Sequence, residues 1–267
     1  MAAAVRGATG GPASRPPSLR RLTSPLFGVG RTLGRTTVGF GLDLASGVAR
    51  LGEAGMDALG ARQRSAGVLR VQILILRDEH GEPLTTPASV QPALATADRI
   101  LRQQAGVRVR VVGVRTIAEV PPPAALDPRA NKALLLDDVL GRTEFYRRHL
   151  VDPNQPQSPP TLVGVPITVI VVRKIAGPTT GCSLGMSVDW VITQASLFDR
   201  NAEHSYDETV LAHELGHAVN LPHHPDRGNL MFPESSPPHG IRGTTLASWQ
   251  RATVQANRHV VPGQVNW

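Results

Sequence analysis

The run from Ser205 to Pro233, SYDETVLAHELGHAVNLPHHPDRGNLMFP, constrains the fold of this chain more than any other part of it. His213 and His217 stand four residues apart, so on a helix they project from one face, one turn above the other. Two imidazoles at that separation can bind one zinc ion, and Glu214 beside them can take a proton from water on the metal. His223 comes six residues after His217, where a continuing helix would carry it away from the same ion. The chain must therefore turn sharply between them. Asn220 sits where the turn is needed, and asparagine is the non-glycine residue that best tolerates the left-handed backbone conformation. Upstream, Ser205 and Glu208 have the S-x-x-E spacing of a capping box, which predicts a helix starting just after Ser205.

The continuation HELGHAVNLPHHPDRGNLMFP resembles the metzincins, whose pattern is HExxHxxGxxH followed by a turn that carries a methionine beneath the metal. Asn220 replaces the family's glycine, and Met231 falls eight residues after His223. Within the family the run is most similar to the matrixin subgroup, which places Asp, Met and Pro at the positions of Asp226, Met231 and Pro233; the subgroup's serine after the third ligand is His224 here. The resemblance implies that His213, His217 and His223 hold one catalytic zinc ion, with a water completing the tetrahedron. It implies Glu214 as general base and a zinc-dependent endopeptidase acting on polypeptides without a covalent intermediate. Met231 is then a packing residue under the site, since thioethers are soft ligands poorly matched to this environment. By the same resemblance Pro233 and its neighbours line the pocket for the residue after the cut. A structural calcium is compatible with the family, but no residue pattern indicates one. The implied fold is α+β: a zincin-like mixed sheet of five strands or fewer, an active-site helix, a methionine turn and a C-terminal helix. The resemblance is dense from Ser205 to Pro233, topological from Val68 to Thr193, and absent from residues 1–67.

Other assignments stay open on the residues alone. His224 adjoins a ligand and is the fallback ligand, although solvent exposure suits it better. Glu234, seventeen residues past His217, brings to mind the zincins whose third ligand is a downstream glutamate, but those carry it on a helix and Pro233 and ESSPP mark a loop. The rival function is a zincin-fold binding or inhibitory module that keeps the metal and cleaves nothing; Glu214 speaks against it, because such a module needs no base. Cys182, the only cysteine, excludes an intramolecular disulfide and is expected to be a small buried hydrophobe.

Hydrophobic patterning places the rest. VLRVQILILRD from Val68 reads as a strand, TTPASVQPALATADRILRQQAG as a helix capped by Thr85 or Thr86 and ended by Gly106, and VRVRVVGVRTI as a second strand. VPPPAALDP reads as a connection, Lys132 to Leu150 as a helix, DPNQPQSPP as a loop and TLVGVPITVIVV as the strongest strand. A GPTTGC turn leads to a shorter strand in GMSVDWVIT, and the stretch from Met186 to Thr193 is a candidate for the edge that pairs with extended substrate. TTLASWQRATVQANRHVV has the spacing of the closing helix.

The formal charge of +7 suggests nucleic acid until it is located. Residues 1–67 hold nine arginines against Asp43, Glu53 and Asp57, which is 9 − 3 = +6. The domain from residue 68 to 267 is therefore nearly neutral, and no nucleic-acid partner is expected. The basic extension, 1–67, has the composition of a disordered tail, a targeting or secretion leader, or an anchor for an anionic surface. Arg20-Arg21 faintly resembles a twin-arginine signal, so export by that or another non-classical route stands beside a cytoplasmic location. No apolar run of eighteen residues is present, so no transmembrane helix is expected.

Overall fold

The computed structural model describes residues 66–129, 137, 140–150, 164–176, 181–183, 189–202, 206–234 and 242–263. Expectations for residues 1–65, the loop 152–160 and Ser205 lie outside them, as do the side chain of Cys182 and most of the expected helix between 132 and 139. Among the described residues no helix is long and apolar enough to cross a membrane.

The sheet is mixed, with the order β2-β1-β3-β5-β4. β1 (Gly67–Ile75), β2 (Val107–Thr116), β3 (Ile167–Val172) and β5 (Trp190–Gln194) run parallel, and β4 (Gly181–Ser183) pairs antiparallel with β5. A sixth strand not anticipated from sequence, β6 (Val260–Pro262), pairs antiparallel with residues 67–69 at the start of β1. Because parallel strands need crossovers, helices cover both faces and the central strands lose their polar alternation. β3 is buried at every position for that reason. Its Ile167, Val169 and Val171 join Leu69, Val71, Ile73 and Ile75 of β1 in one core, while Ile170 and Val172 join Leu74 on the other face.

The larger core is closed by α1 (Pro87–Ala105) and α4 (Val210–Ala218). α1 begins as its sequence requires: the Thr86 side chain accepts from the Ser89 N–H, Pro87 occupies the first helical position, and Gly106 closes the helix at φ 66. The smaller core lies under α2 (Pro123–Leu126) and α3 (Glu144–His149), which contribute Ala125, Leu126, Phe145 and Tyr146. Two expectations change here. VPPPAALDP is not merely a connection, because Pro122 and Pro123 start the turn of helix that buries Leu126. The helix expected up to Leu150 is interrupted by a turn at 140–143, where Gly141 adopts φ 75, and resumes only at Glu144.

The edge strand is also different. β5 is flanked by β3 and β4, so its backbone groups are spent inside the sheet and it cannot accept an extended peptide. Among the described residues the edge is β4, in the stretch read from sequence as a turn, and β4 lies beside α4. α5 (Ser248–Ala256), the last described helix, packs against α1, with Val254 buried and Trp249 exposed.

Candidate metal centre

α4 carries the HExxH residues into the core edge. It starts at Val210 rather than just after Ser205, because Asp207 organises its foot: one carboxylate oxygen accepts from the Thr209 N–H at 2.8 Å and from the Thr209 hydroxyl at 2.7 Å. The Glu208 carboxylate takes hydrogen bonds from Thr96 of α1 (3.1 Å) and from the Tyr206 hydroxyl (2.6 Å); the expected capping box involves Ser205 and so lies outside the described residues.

The helix ends through Asn220, which adopts φ 72 and is the one non-glycine residue with positive φ among those described. Its N–H donates to the His217 carbonyl (3.0 Å), and the Leu221 N–H donates to the Gly216 carbonyl (2.9 Å). This pair of bonds is the Schellman arrangement, which satisfies carbonyls that a helix end leaves orphaned. The reversal brings His223 back over the helix. The Nε2 atoms of His213 and His217 lie 3.1 Å apart, as do those of His217 and His223, and one ligand atom from each falls within 4.8 Å of the others.

These residues fit a metal ion chemically as well as spatially. His213 Nδ1 lies 2.8 Å from the Leu230 carbonyl, and His217 Nδ1 lies 2.8 Å from the Leu221 carbonyl. A carbonyl only accepts, so each Nδ1 carries the proton and each Nε2 presents a lone pair toward the other rings. Burial holds His213 at about 2 and His217 at about 4, and depresses His223 as well, so all three are neutral at pH 7. Zinc–nitrogen bonds of about 2.0–2.1 Å in a tetrahedron need nitrogens roughly 3.3 Å apart, close to the 3.1 Å of the His213–His217 and His217–His223 pairs. Burial also pushes the Glu214 carboxyl up to about 8, against the opposing field of Arg242. Glu214 Oε2 is buried and has no hydrogen-bond partner among the described residues.

Met231 lies under α4 with no exposed surface, so close that a Cβ on Gly216 would sit 2.5 Å from its sulfur. It packs against the backbone of α4 at Gly216. The turn around it is fixed by side-chain amides: Asn229 donates to Gln250 of α5 (2.7 Å), Gln250 donates back (3.2 Å), and Asn229 Oδ1 accepts from the Met231 N–H (2.9 Å). That clamp sets the Leu230 carbonyl on which His213 is oriented. Asp226 accepts from the Gly228 N–H (2.8 Å), and His224, the fallback ligand, instead accepts from the Asp226 N–H (3.2 Å) and stays out of the group. Pro233 and Glu234 are exposed on the chain leaving the turn, and Glu234 is not part of the histidine group.

Sequence reasoning did not find Arg242, which is buried near these residues, nor the Asn229–Gln250 clamp. Each depends on long-range approach, and neither belongs to a local pattern.

No protein-family model matches the chain, and no curated protein is similar to it. Among solved structures the chain is similar to metalloproteinase-II from Bacteroides fragilis, at 14% identity and a TM-score of 0.45, over 74% of this chain and 59% of that one. It therefore spans less than two thirds of that protein's length. It is also similar to archaemetzincin from Methanopyrus kandleri, at 18% identity and a TM-score of 0.40, over 70% of this chain and 95% of that one.

Proposed function

We propose that this chain is a zinc-dependent endopeptidase of the metzincin type, matrixin-like in the run from Ser205 to Pro233, with His213, His217 and His223 holding the ion. The observation that carries the reading is the convergence of three neutral imidazoles, two of them with Nδ1 committed to backbone carbonyls, beside a buried and unpartnered glutamate. When bound, zinc would supply a water whose pKa falls from about 15.7 toward about 7 and a Lewis acid for the scissile carbonyl.

The protein's own groups do the rest. Glu214 takes the proton of the attacking water at Oε2 and later passes it to the leaving amine. Its burial removes competing partners from the carboxylate, and a bound cation beside it would favour the ionised form that accepts the proton. The Leu230 and Leu221 carbonyls hold His213 and His217 in the required tautomer. The outer side of β4, which no other described strand covers and which lies next to α4, is the place for an extended polypeptide to add as a strand. Pro233 is assigned to the wall of the pocket for the residue after the cut. The catalytic unit is assigned to residues 67–267, since Gly67 pairs with both Val107 and Pro262 and belongs to the sheet. Residues 1–66 are assigned to addressing or anchoring.

The test is hydrolysis of a denatured protein by the full chain, with and without chelator, beside Glu214→Ala. The variant should keep about one zinc per molecule by elemental analysis and lose about 10²–10⁴ in rate. Equal turnover by the variant would place the base elsewhere; no turnover by either, with zinc bound, would favour a metal-holding module.

A further inference from the structure

Subtracting the +6 of residues 1–67 from the formal charge of +7 leaves 7 − 6 = +1 on residues 68–267, but that charge is unevenly spread. From Arg99 to Ala118 the chain holds five arginines and no acid, so the rest of the domain carries 1 − 5 = −4. The basic run covers the end of α1 and all of β2, the strand at one end of the sheet.

Register gathers these arginines. Arg70 and Arg110 are partners across β1 and β2, and Arg108, two residues before Arg110, lies on the same face. On that face α3 reaches the far end of β2, where Arg115 donates to the His149 carbonyl, and leaves Arg108 and Arg110 exposed. From the other face Asp98 of α1 accepts from the Val109 N–H at 2.8 Å. Arg102, one turn further along that side of α1, is exposed, as is Arg99. Asp98 therefore spends an oxygen on the strand's backbone, and the edge offers its charge rather than its N–H groups.

The basic extension enters the domain at this place. Gly67 pairs with Val107, next to Arg108, and the Ala66 carbonyl accepts from the Gly263 N–H at 2.6 Å. Two positive elements side by side repel each other, so neither the extension nor the same edge of a second copy can neutralise these arginines; both add against one anionic surface. Two of the exposed large hydrophobic side chains are also here. Val111, 37% exposed, lies in the middle of β2, and Trp249, 48% exposed, lies on α5. α5 is tied to the end of α1, with the Leu246 N–H donating to Gln104 (3.2 Å) and Gln255 donating to the Ala105 carbonyl (2.8 Å). Tryptophan and arginine together suit the headgroup level of a bilayer, where an apolar ring and a charge are both accommodated.

We infer that the arginine edge of β2 and α1 docks this domain on an anionic lipid bilayer, acting with the extension as one of two signals. β2 and β4 stand at opposite ends of the strand order, so docking through β2 leaves the β4 side open. The inference does not depend on the peptidase reading.

The test is co-sedimentation of the full, zinc-saturated chain with phosphatidylcholine vesicles, with and without phosphatidylserine, at low and high salt. Binding should require phosphatidylserine and weaken with salt. Each arginine near an anionic surface contributes about fivefold in affinity, so Arg102→Gln, Arg108→Gln and Arg110→Gln together should weaken binding by at least about tenfold, with zinc content and circular dichroism unchanged. Lysine at the same three positions should stay within about threefold of the unaltered chain, because a bilayer reads charge rather than the guanidinium fork. If the triple glutamine variant does not fold, Arg108→Gln and Arg110→Gln decide singly, at about fivefold each. Undiminished binding by the glutamine variants would show that the extension alone holds the surface, and overturns the proposal. Equal binding to vesicles without phosphatidylserine overturns it, as does arginine-dependent binding to duplex DNA or polyglutamate that exceeds binding to the vesicles at the same salt.

Discussion

Asn220 offers the most direct test of how the site is assembled, because one backbone conformation ends α4, frees the Leu221 carbonyl that orients His217, and returns His223 to the group. At φ 72 a side chain with a Cβ costs about 1–2 kcal/mol, and asparagine bears this better than other non-glycine residues. Asn220→Gly removes the steric cost but adds about 0.5–1 kcal/mol of unfolded-chain entropy, so it should lie within about 0.5 kcal/mol of the unaltered chain. Asn220→Ala should cost about 1 kcal/mol, and Asn220→Val, branched at Cβ, about 2 kcal/mol. For a domain of 150–250 residues each kcal/mol moves the melting temperature by about 2–4 °C. Melts of the three variants, zinc-free and zinc-saturated, should rank Gly, Ala, Val in falling stability. Alanine and valine should also weaken zinc in a chelator competition, since the strained turn displaces His223. Alanine and valine matching glycine in both measurements would refute the claim that the left-handed turn assembles the site.

In the metal-free chain, stability should pass through a maximum between about pH 6 and 7, with the depressed His223 adding to the histidine side. Below that, the unfolded chain takes up protons that His213 and His217, held at about 2 and about 4, refuse when folded, so stability falls with falling pH. From about pH 4.5 to 8 the folded Glu214 keeps a proton that the unfolded chain releases, which lowers stability with rising pH; the histidines outweigh the glutamate only on the acid side of the maximum. Denaturant melts from pH 4.5 to 8.5 that change monotonically would contradict this balance. Gly216→Ala should destabilise by about 1–2 kcal/mol, the overpacking against Met231 exceeding the gain in helix propensity, and should weaken zinc because Met231 adjoins the carbonyl that orients His213; a melt and a chelator titration check both. Gln250→Ala leaves the buried Asn229 amide without its partner and should cost about 1–3 kcal/mol, with a smaller loss in Gln250→Glu, which still accepts from Asn229 and the Ala247 N–H; equal losses would show that the clamp does not act through those bonds.

Whatever depends on near neighbours in the chain could be read from the amino acids alone. The i, i+4 spacing of His213 and His217, the left-handed asparagine, the caps of α1 at Thr86 and Gly106, and the apolar run of β3 are local consequences of helix period, Cβ sterics and strand burial. Where a distant partner wins, local reading failed. Nothing near Glu208 in the sequence announces that its carboxylate bonds to Thr96 of α1. Gly181–Ser183 has too little side chain to signal a strand, and becomes one only because β5 offers it an edge. The assignment of the edge to β4, the amide clamp behind Leu230 and the burial of Arg242 against Asp207 were decided by tertiary structure, since hydrogen bonds and charges between residues far apart in sequence leave no periodicity along the chain.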